Sequence, residues 1–237
     1  NDIVVVFLNY VVTKFGPIAI FVLLFRTFAT YGIHHLKPAM TYVVATTVLL
    51  LVFLFVGYPL FVAASTRLNP VKFARKILKV AVFGFSTSSS AATLPLNVKT
   101  TVEELGVDEK IASFVLPLGM TINMNGTAIM QVVATLFIAG CAGYDVTFGQ
   151  LVVVALLALI ASAGTPAAPG AGAIILFTIL SGLGYVNDGA LLAYSLILAI
   201  NRPIEMLVTS LNVAGDSATS IYVAKSEGML DETKYNA

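Results

Sequence analysis

The chain has 237 residues, 58% of them apolar and 11% charged, with a formal net charge of +1 and a mean hydropathy of +0.95. Soluble domains run at about 25% charged residues, so a surface-charged soluble globule is excluded, and so are a disordered chain and a collagen. One cysteine, Cys141, leaves no internal disulfide and no zinc spacing, and so small a net charge offers no basic face to nucleic acid; what remains is an all-α polytopic membrane protein.

A helix needs about 20 apolar residues to cross about 30 Å of hydrocarbon. Residues 3–32, broken only by Lys14 and Arg26, make a first span. The chain opens on Asn1, almost inside that span and without a cleavable signal pattern, and reads as the C-terminal part of a longer protein. Residues 38–66 carry no charge over 29 positions, 111–144 none over 34, and 146–187 none over 42. Between them, 67–79 holds Arg67, Lys72, Arg75, Lys76 and Lys79 and no acid. The positive-inside tendency makes that segment cytoplasmic and the preceding 31–37 external.

The next 19 uncharged residues centre on Ser86-Thr87-Ser88-Ser89-Ser90 and run on to Pro95. Consecutive hydroxyls compete for the backbone and favour turns, and Pro95 suits the first turn of a new helix. Two half-helices meeting at a serine tip fit this pattern. A complete span with back-bonded hydroxyls is the alternative. Farther on, Thr121-Ile122-Asn123-Met124-Asn125-Gly126-Thr127 interrupts an apolar span. Its amides and freed carbonyls are hard ligands for Na+ or another oxygen-seeking cation; hydrogen bonding between helices is the plainer reading.

A second break follows at 163–173, with Pro166, Pro169, Gly164, Gly170 and Gly172 in apolar surroundings. Open backbone at membrane depth survives only where it is buried in protein or lines a cavity. Paired interruptions of this kind point to a transporter site. If both are re-entrant, the two hairpins are related by inversion and the C-terminus is cytoplasmic. The last apolar stretch, 190–224, carries Arg202, Glu205 and Asp216. Intramembrane charges default to function. Asn201, Glu205, Val208 and Asn212 share one helix face, with Asp216 one turn beyond Asn212. Arg202 reads as a counter-charge to Glu205, and Asp216 as a cation ligand.

These segments, in this order, resemble the dicarboxylate/amino acid:cation symporters, which include the excitatory amino-acid transporters and archaeal aspartate transporters. The likeness rests on Ser88-Ser89-Ser90-Ala91-Ala92-Thr93-Leu94-Pro95, Asn123-Met124-Asn125-Gly126-Thr127, the second tip from Gly164-Thr165 to Gly170-Ala171-Gly172-Ala173, and Asn212-Val213-Ala214-Gly215-Asp216. It implies a homotrimeric elevator transporter of the cell membrane, not an enzyme. Residues 1–32 would be a scaffold helix and 38–66 a transmembrane helix. Residues 70–237 would be the transport core, with re-entrant hairpins at 71–105 and 148–184, an unwound helix at 110–141 and a final helix at 190–226. Most of the N-terminal scaffold would be missing.

Carried over by position, Gly119, Asn123, Asn212 and Asp216 would form one Na+ site, and Thr121, Met124, Ser162, Ala163 and Thr165 another, mainly through backbone carbonyls. A small amino-acid substrate would lie among Ser88, Ser89, Ser90, Thr127, Ala168, Pro169, Gly170, Ala171, Gly172, Glu205, Val208, Thr209 and Asn212. Three departures bear on this. Val208 stands where acidic-substrate members place Arg, so no guanidinium holds a side-chain carboxylate. Glu205 replaces the Asp that receives the substrate ammonium. Asn125 replaces the Asp of a third cation site. The resulting expectation is a cation symporter for a neutral amino acid; an acidic amino acid or dicarboxylate, with Arg202 substituting, is the alternative. A hydrolase using a serine of 88–90 lacks a base, since His34 and His35 fall in the predicted external loop. A passive channel is the fourth reading.

Overall fold

The structure, a computed structural model, describes residues 36–237 together with Lys14, Phe21, Val22 and Phe25. Apart from those four positions, the span expected at residues 1–32 lies outside the described residues. Among the described residues, regular structure is helical apart from one isolated bridge, Val107 to Leu230.

Helix α1 (Leu36–Val52) passes through a π-turn (Phe53–Gly57) into α2 (Tyr58–Thr66). Pro59 explains the wider turn. It has no N–H for the carbonyl four residues back, so the register slips and Tyr58 N–H bonds to Phe53 O. The outer face, with Val44, Val48, Phe55 and Leu60, is exposed and suits lipid. Tyr58 turns inward instead and is buried.

Helices α3 (Pro70–Thr87) and α4 (Ser90–Glu103) form the first hairpin. Asn69 caps α3, accepting from Val71 N–H at 2.9 Å. Ser88, left-handed at φ 51°, ends it, and Ser89 caps α4. The serine cluster therefore breaks the helix. Pro95 does not start the second half: it lies inside α4, a turn deeper than expected, because Ser89 starts the helix first. Helix α5 (Glu109–Ile122) and α6 (Asn125–Ala142) are parted by Asn123 and Met124, the only unwound pair within the 34-residue span 109–142. The second hairpin is α7 (Phe148–Ala163), a tip at 164–170, and α8 (Ala171–Leu183).

The expectation of one final helix over 190–226 needs correction. Helix α9 (Asp188–Ile200) and α10 (Arg202–Ser226) meet at Asn201 with a bend of 71°. Pro203 is the cause: it has no N–H for the carbonyl four residues back and its ring crowds that carbonyl, so the ladder breaks at Asn201 and restarts with the proline in the first turn of α10. Every residue of α10 from Val208 to Ala218 is buried, so this helix is the central post. It packs on α3, α5, α6, α2 and α4. Small residues permit the close approach. A Cβ on Gly215 would collide with the Tyr58 hydroxyl and lie 2.7 Å from Asn123 Nδ2. Polar ties fix the register: Asn97 Nδ2 donates to Val213 O at 3.0 Å, and Ser217 donates to Asn97 Oδ1 at 2.6 Å. In a membrane such bonds contribute about 0.6–2 kcal/mol each. A short helix, α11 (Glu232–Asn236), folds back against the base of the first hairpin.

Candidate functional site

Both hairpin tips, the α5–α6 break and the first half of α10 converge on one cavity. Its walls are Ser88 and Ser90 from the first tip, Pro166 to Gly170 and Gly172 from the second, Met124, Thr127 and Met130 from the unwound helix, and Glu205, Val208, Thr209 and Asn212 from α10. Two residues expected at the substrate do not line it. Ser89 caps α4 and donates to Ala167 O at 3.0 Å, so it ties one tip to the other. Ala171 is the first residue of α8, its N–H directed to Ala168 O. Pro166, Ala167 and Met130 were not anticipated as lining; Met130 was legible as i+3 from Thr127.

The α10 face carries the chemistry. Glu205 is 8% exposed, and its Oε1 accepts from Ala173 N–H at 3.3 Å. Ala173 belongs to the first turn of α8, whose capping position is Gly170 and offers no side chain. Glu205 thus supplies the carboxylate that this helix end favours. Arg202 stands 3.9 Å from Glu205 Oε2 but is half exposed, so the pair contributes little. Val208 is buried one turn on, and neither Arg nor Lys is among the lining residues. Asn212 Oδ1 accepts from Gly126 N–H at 2.8 Å, while its Nδ2 donates to Thr127 Oγ1 at 3.3 Å. Ser88 is buried in the wall, and among the described residues its hydroxyl has no hydrogen-bond partner.

Below Asn212 lies a second polar cluster. Asn123 Nδ2 donates to Asp216 Oδ1 at 2.8 Å and to the Asn212 carbonyl at 3.2 Å. Gly119 O receives Asn123 N–H at 2.7 Å. A Cβ on Gly119 would lie 2.6 Å from Asp216 Oδ1, so only glycine leaves that carboxylate its place. Gly119, Asn123, Asn212 and Asp216 are therefore together, and Asp216 is 2% exposed. The candidate ligands are oxygens, and here the amide hydrogens of Asn123 take the Asp216 carboxylate and the Asn212 carbonyl, the acceptors a cation would use. Turning that amide over presents its oxygen instead. Among the described residues no three His, Cys, Asp or Glu gather for a transition metal.

In the other expected cation set the side-chain hydroxyls are turned back on their own helices, so its candidate ligands are the backbone carbonyls. The Thr121 hydroxyl donates to Leu118 O, Ser162 to Leu159 O and Thr165 to Ala161 O, each within its own turn, and Ala163 is exposed. The Met124 sulfur accepts from Asn212 Nδ2. Asn125 donates to the Tyr58 hydroxyl at 3.1 Å. Asn201 accepts from the Tyr42 hydroxyl at 2.6 Å. Neither tyrosine was singled out in the sequence, because each reaches the site from a helix far away in the chain.

Residues 1–226 match the model of the sodium:dicarboxylate symporter family. The chain belongs to that family. It is 39% identical over 163 residues to an excitatory amino acid transporter of Caenorhabditis elegans, covering 68% of this chain and 31% of the relative. It is 38% identical over 176 residues to excitatory amino acid transporter 1 of Rattus norvegicus, covering 74% and 32%. With excitatory amino acid transporter 5 of Homo sapiens it shares 38% over 159 residues, covering 67% and 28%. The chain thus spans about a third of the length of these relatives. Family membership and the apolar helices make it an all-α, multi-pass membrane protein, and the relatives named here are transporters.

Proposed function

We propose that this symporter-family chain forms the transport core of a Na+-coupled carrier for a small amino acid with an uncharged side chain. The carrying observation is the buried Val208 between Glu205 and Asn212 in a cavity lined by no cation. A substrate ammonium goes to Glu205, which releases Ala173. The substrate carboxylate takes the Asn212 amide, which gives up its contacts with Thr127 and Met124, and the Ser88 hydroxyl. The side chain then lies against Val208 and Met130, where a second carboxylate finds no partner and would cost several kcal/mol to bury. Na+, as co-transported cargo, goes to Asp216, Asn123 and the carbonyls of Gly119 and Asn212. Asn212 serves both ligands, its side chain in the cavity and its carbonyl at Asn123. Filling one site orders the other, which is the coupling that symport requires. A second Na+ goes to Thr121, Met124, Ser162, Ala163 and Thr165, mainly to their backbone carbonyls. Residues 70–237 move as an elevator against a scaffold in a homotrimer, with the C-terminus cytoplasmic.

An acidic substrate is the second reading, favoured by Arg202 beside Glu205 and by the relatives' names. Uptake into proteoliposomes under an imposed Na+ gradient, with alanine, serine, aspartate and succinate as competitors, separates the two. Alanine or serine competing and aspartate failing supports the first. Gradient-independent uptake removes the coupling altogether.

A further inference from the structure

The outer face of α3 has an unusual layout. Arg75, Leu78, Lys79, Val82, Phe85 and Ser86 fall at i, i+3, i+4, i+7, i+10 and i+11, so they form one stripe. Leu78 and Val82 stand out as its ridge, 44% and 56% exposed. A groove runs along each side. One lies between α3 and α4, floored by Phe83 and Leu96 and headed by Arg75 and Lys79. The other lies between α3 and the α1–π-turn wall, bounded by Leu51, Leu54, Phe55 and Phe85. Its one polar residue, Ser210, is satisfied by Ala81 O at 2.8 Å.

From Arg75 to Ser86 the helix rises about 16 Å at about 1.5 Å per residue. That is about half the thickness of a hydrocarbon core. The first groove runs this whole length, from Arg75 to Ser86 at the serine tip, and the second runs beside it from Leu78 to Phe85, lengths that suit acyl chains.

The charge at the upper end is uneven. Lys72 donates to Asn236 O. Lys76 donates to the carbonyls of Glu104, Lys234 and Tyr235. Lys79 pairs with Glu104. Arg75 is exposed and, among the described residues, has no partner. A guanidinium is a planar fork suited to phosphate. A soluble phosphate would use Arg75 and leave both grooves bare.

We propose that this face binds an anionic diacyl phospholipid of the bilayer, its phosphate on Arg75 beside Lys79 and one acyl chain in each groove, astride the Leu78–Val82 ridge. The site is separate from the central cavity, so it holds whatever the transported substrate is. The test uses the full chain in phosphatidylcholine vesicles carrying a trace of phosphatidylglycerol with a photoactivatable diazirine on an acyl chain. The same label on phosphatidylcholine is the control. After illumination, adducts are mapped by mass spectrometry. Phosphatidylglycerol should label positions within 78–86 and 51–55 several-fold more than phosphatidylcholine does. Arg75→Gln should lower that labelling by about fivefold, the scale of one cation at an anionic surface, and leave phosphatidylcholine labelling unchanged. Arg75 is exposed and unpartnered, so the variant should fold; an unchanged melting temperature checks this. Equal labelling by the two lipids, adducts confined to other helices, or grooves shielded from both probes by another segment of the chain would overturn the proposal.

Discussion

Asn212 and Asp216 sit one turn apart on a helix buried on every side, yet they do different work. Asn212 has its hydrogen bonds filled by Gly126, Thr127 and Met124. Asp216 has one amide partner, Asn123, for a carboxylate that can accept several. A buried carboxylate so thinly partnered calls for a cation. Asp216→Asn should weaken Na+ binding about 10- to 100-fold, the 1.5–3 kcal/mol of a bond to a charged group. Na+-dependent protection of the chain against thermal unfolding measures it; wild-type protection in the variant would remove Asp216 from the site. The complementary change is at Val208. Val208→Arg should turn competition by aspartate from absent to effective, shifting the aspartate-to-alanine preference by about 10- to 100-fold. Glu205 lies one turn away and receives the substrate ammonium, so it is kept, and alanine uptake by the variant checks that the new guanidinium has not captured it. If alanine is still taken up and aspartate does not compete, residue 208 does not face the side chain of the substrate.

At the scale of elements, the two hairpins are closed on each other by the first tip's Ser89, which caps its own helix and reaches Ala167. Ser89→Ala removes both contacts at once. The lost cap alone costs about 0.5–2 kcal/mol, so amide exchange should speed up at Ala92 and at 164–170 together. Faster exchange at Ala92 alone would show that the tips do not hold each other. These breaks were legible because their cause is local: a run of hydroxyls at 86–90, and Pro166, Pro169 and Gly170 at the second tip. Asn123 and Met124 were legible for the same reason, two side chains ill-suited to a span. The bend at Asn201 was equally local, with Pro203 two residues on, but the charged stripe from Glu205 to Asp216 drew the reading towards one continuous helix. What no local pattern could show is which distant groups meet. Tyr58 at Asn125, Tyr42 at Asn201 and Glu205 capping α8 all join residues more than 30 positions apart.

For the whole molecule, the asymmetry between the hairpins is set at their bases. The first hairpin is strapped by the C-terminal segment. Asp231 N–H donates to Gly106 O at 2.7 Å, and Asp108 N–H to Met229 O at 3.1 Å. Lys76 gathers the carbonyl ends of α4 and α11, and the Tyr235 hydroxyl donates to Asn69 O at 2.9 Å. Among the described residues the second hairpin has no such strap: its base is held by single bonds such as Tyr144 hydroxyl to Gly184 O and Asn187 Nδ2 to Ala142 O. The strap therefore makes the first hairpin one body with α10, and leaves the second freer to move. Tyr235 supplies a way to loosen the strap without touching the cavity. Burial raises its phenol from 10.0 to about 12, because the charged form loses its hydration there. A pKa raised in the folded state gives stability that is complete below the unfolded value and is lost as pH rises through the folded one. The tail should therefore stay docked up to pH 10 and release progressively towards about pH 12. Limited proteolysis within 228–236, sampled across that window, reads the release. Tyr235→Phe separates the phenol from the neighbouring Lys76: it should lose about 1 kcal/mol of docking at neutral pH and lack the tyrosine component of the alkaline release. A variant that releases its tail over the same pH range as wild type would assign the strap to Lys76 and the backbone ties alone.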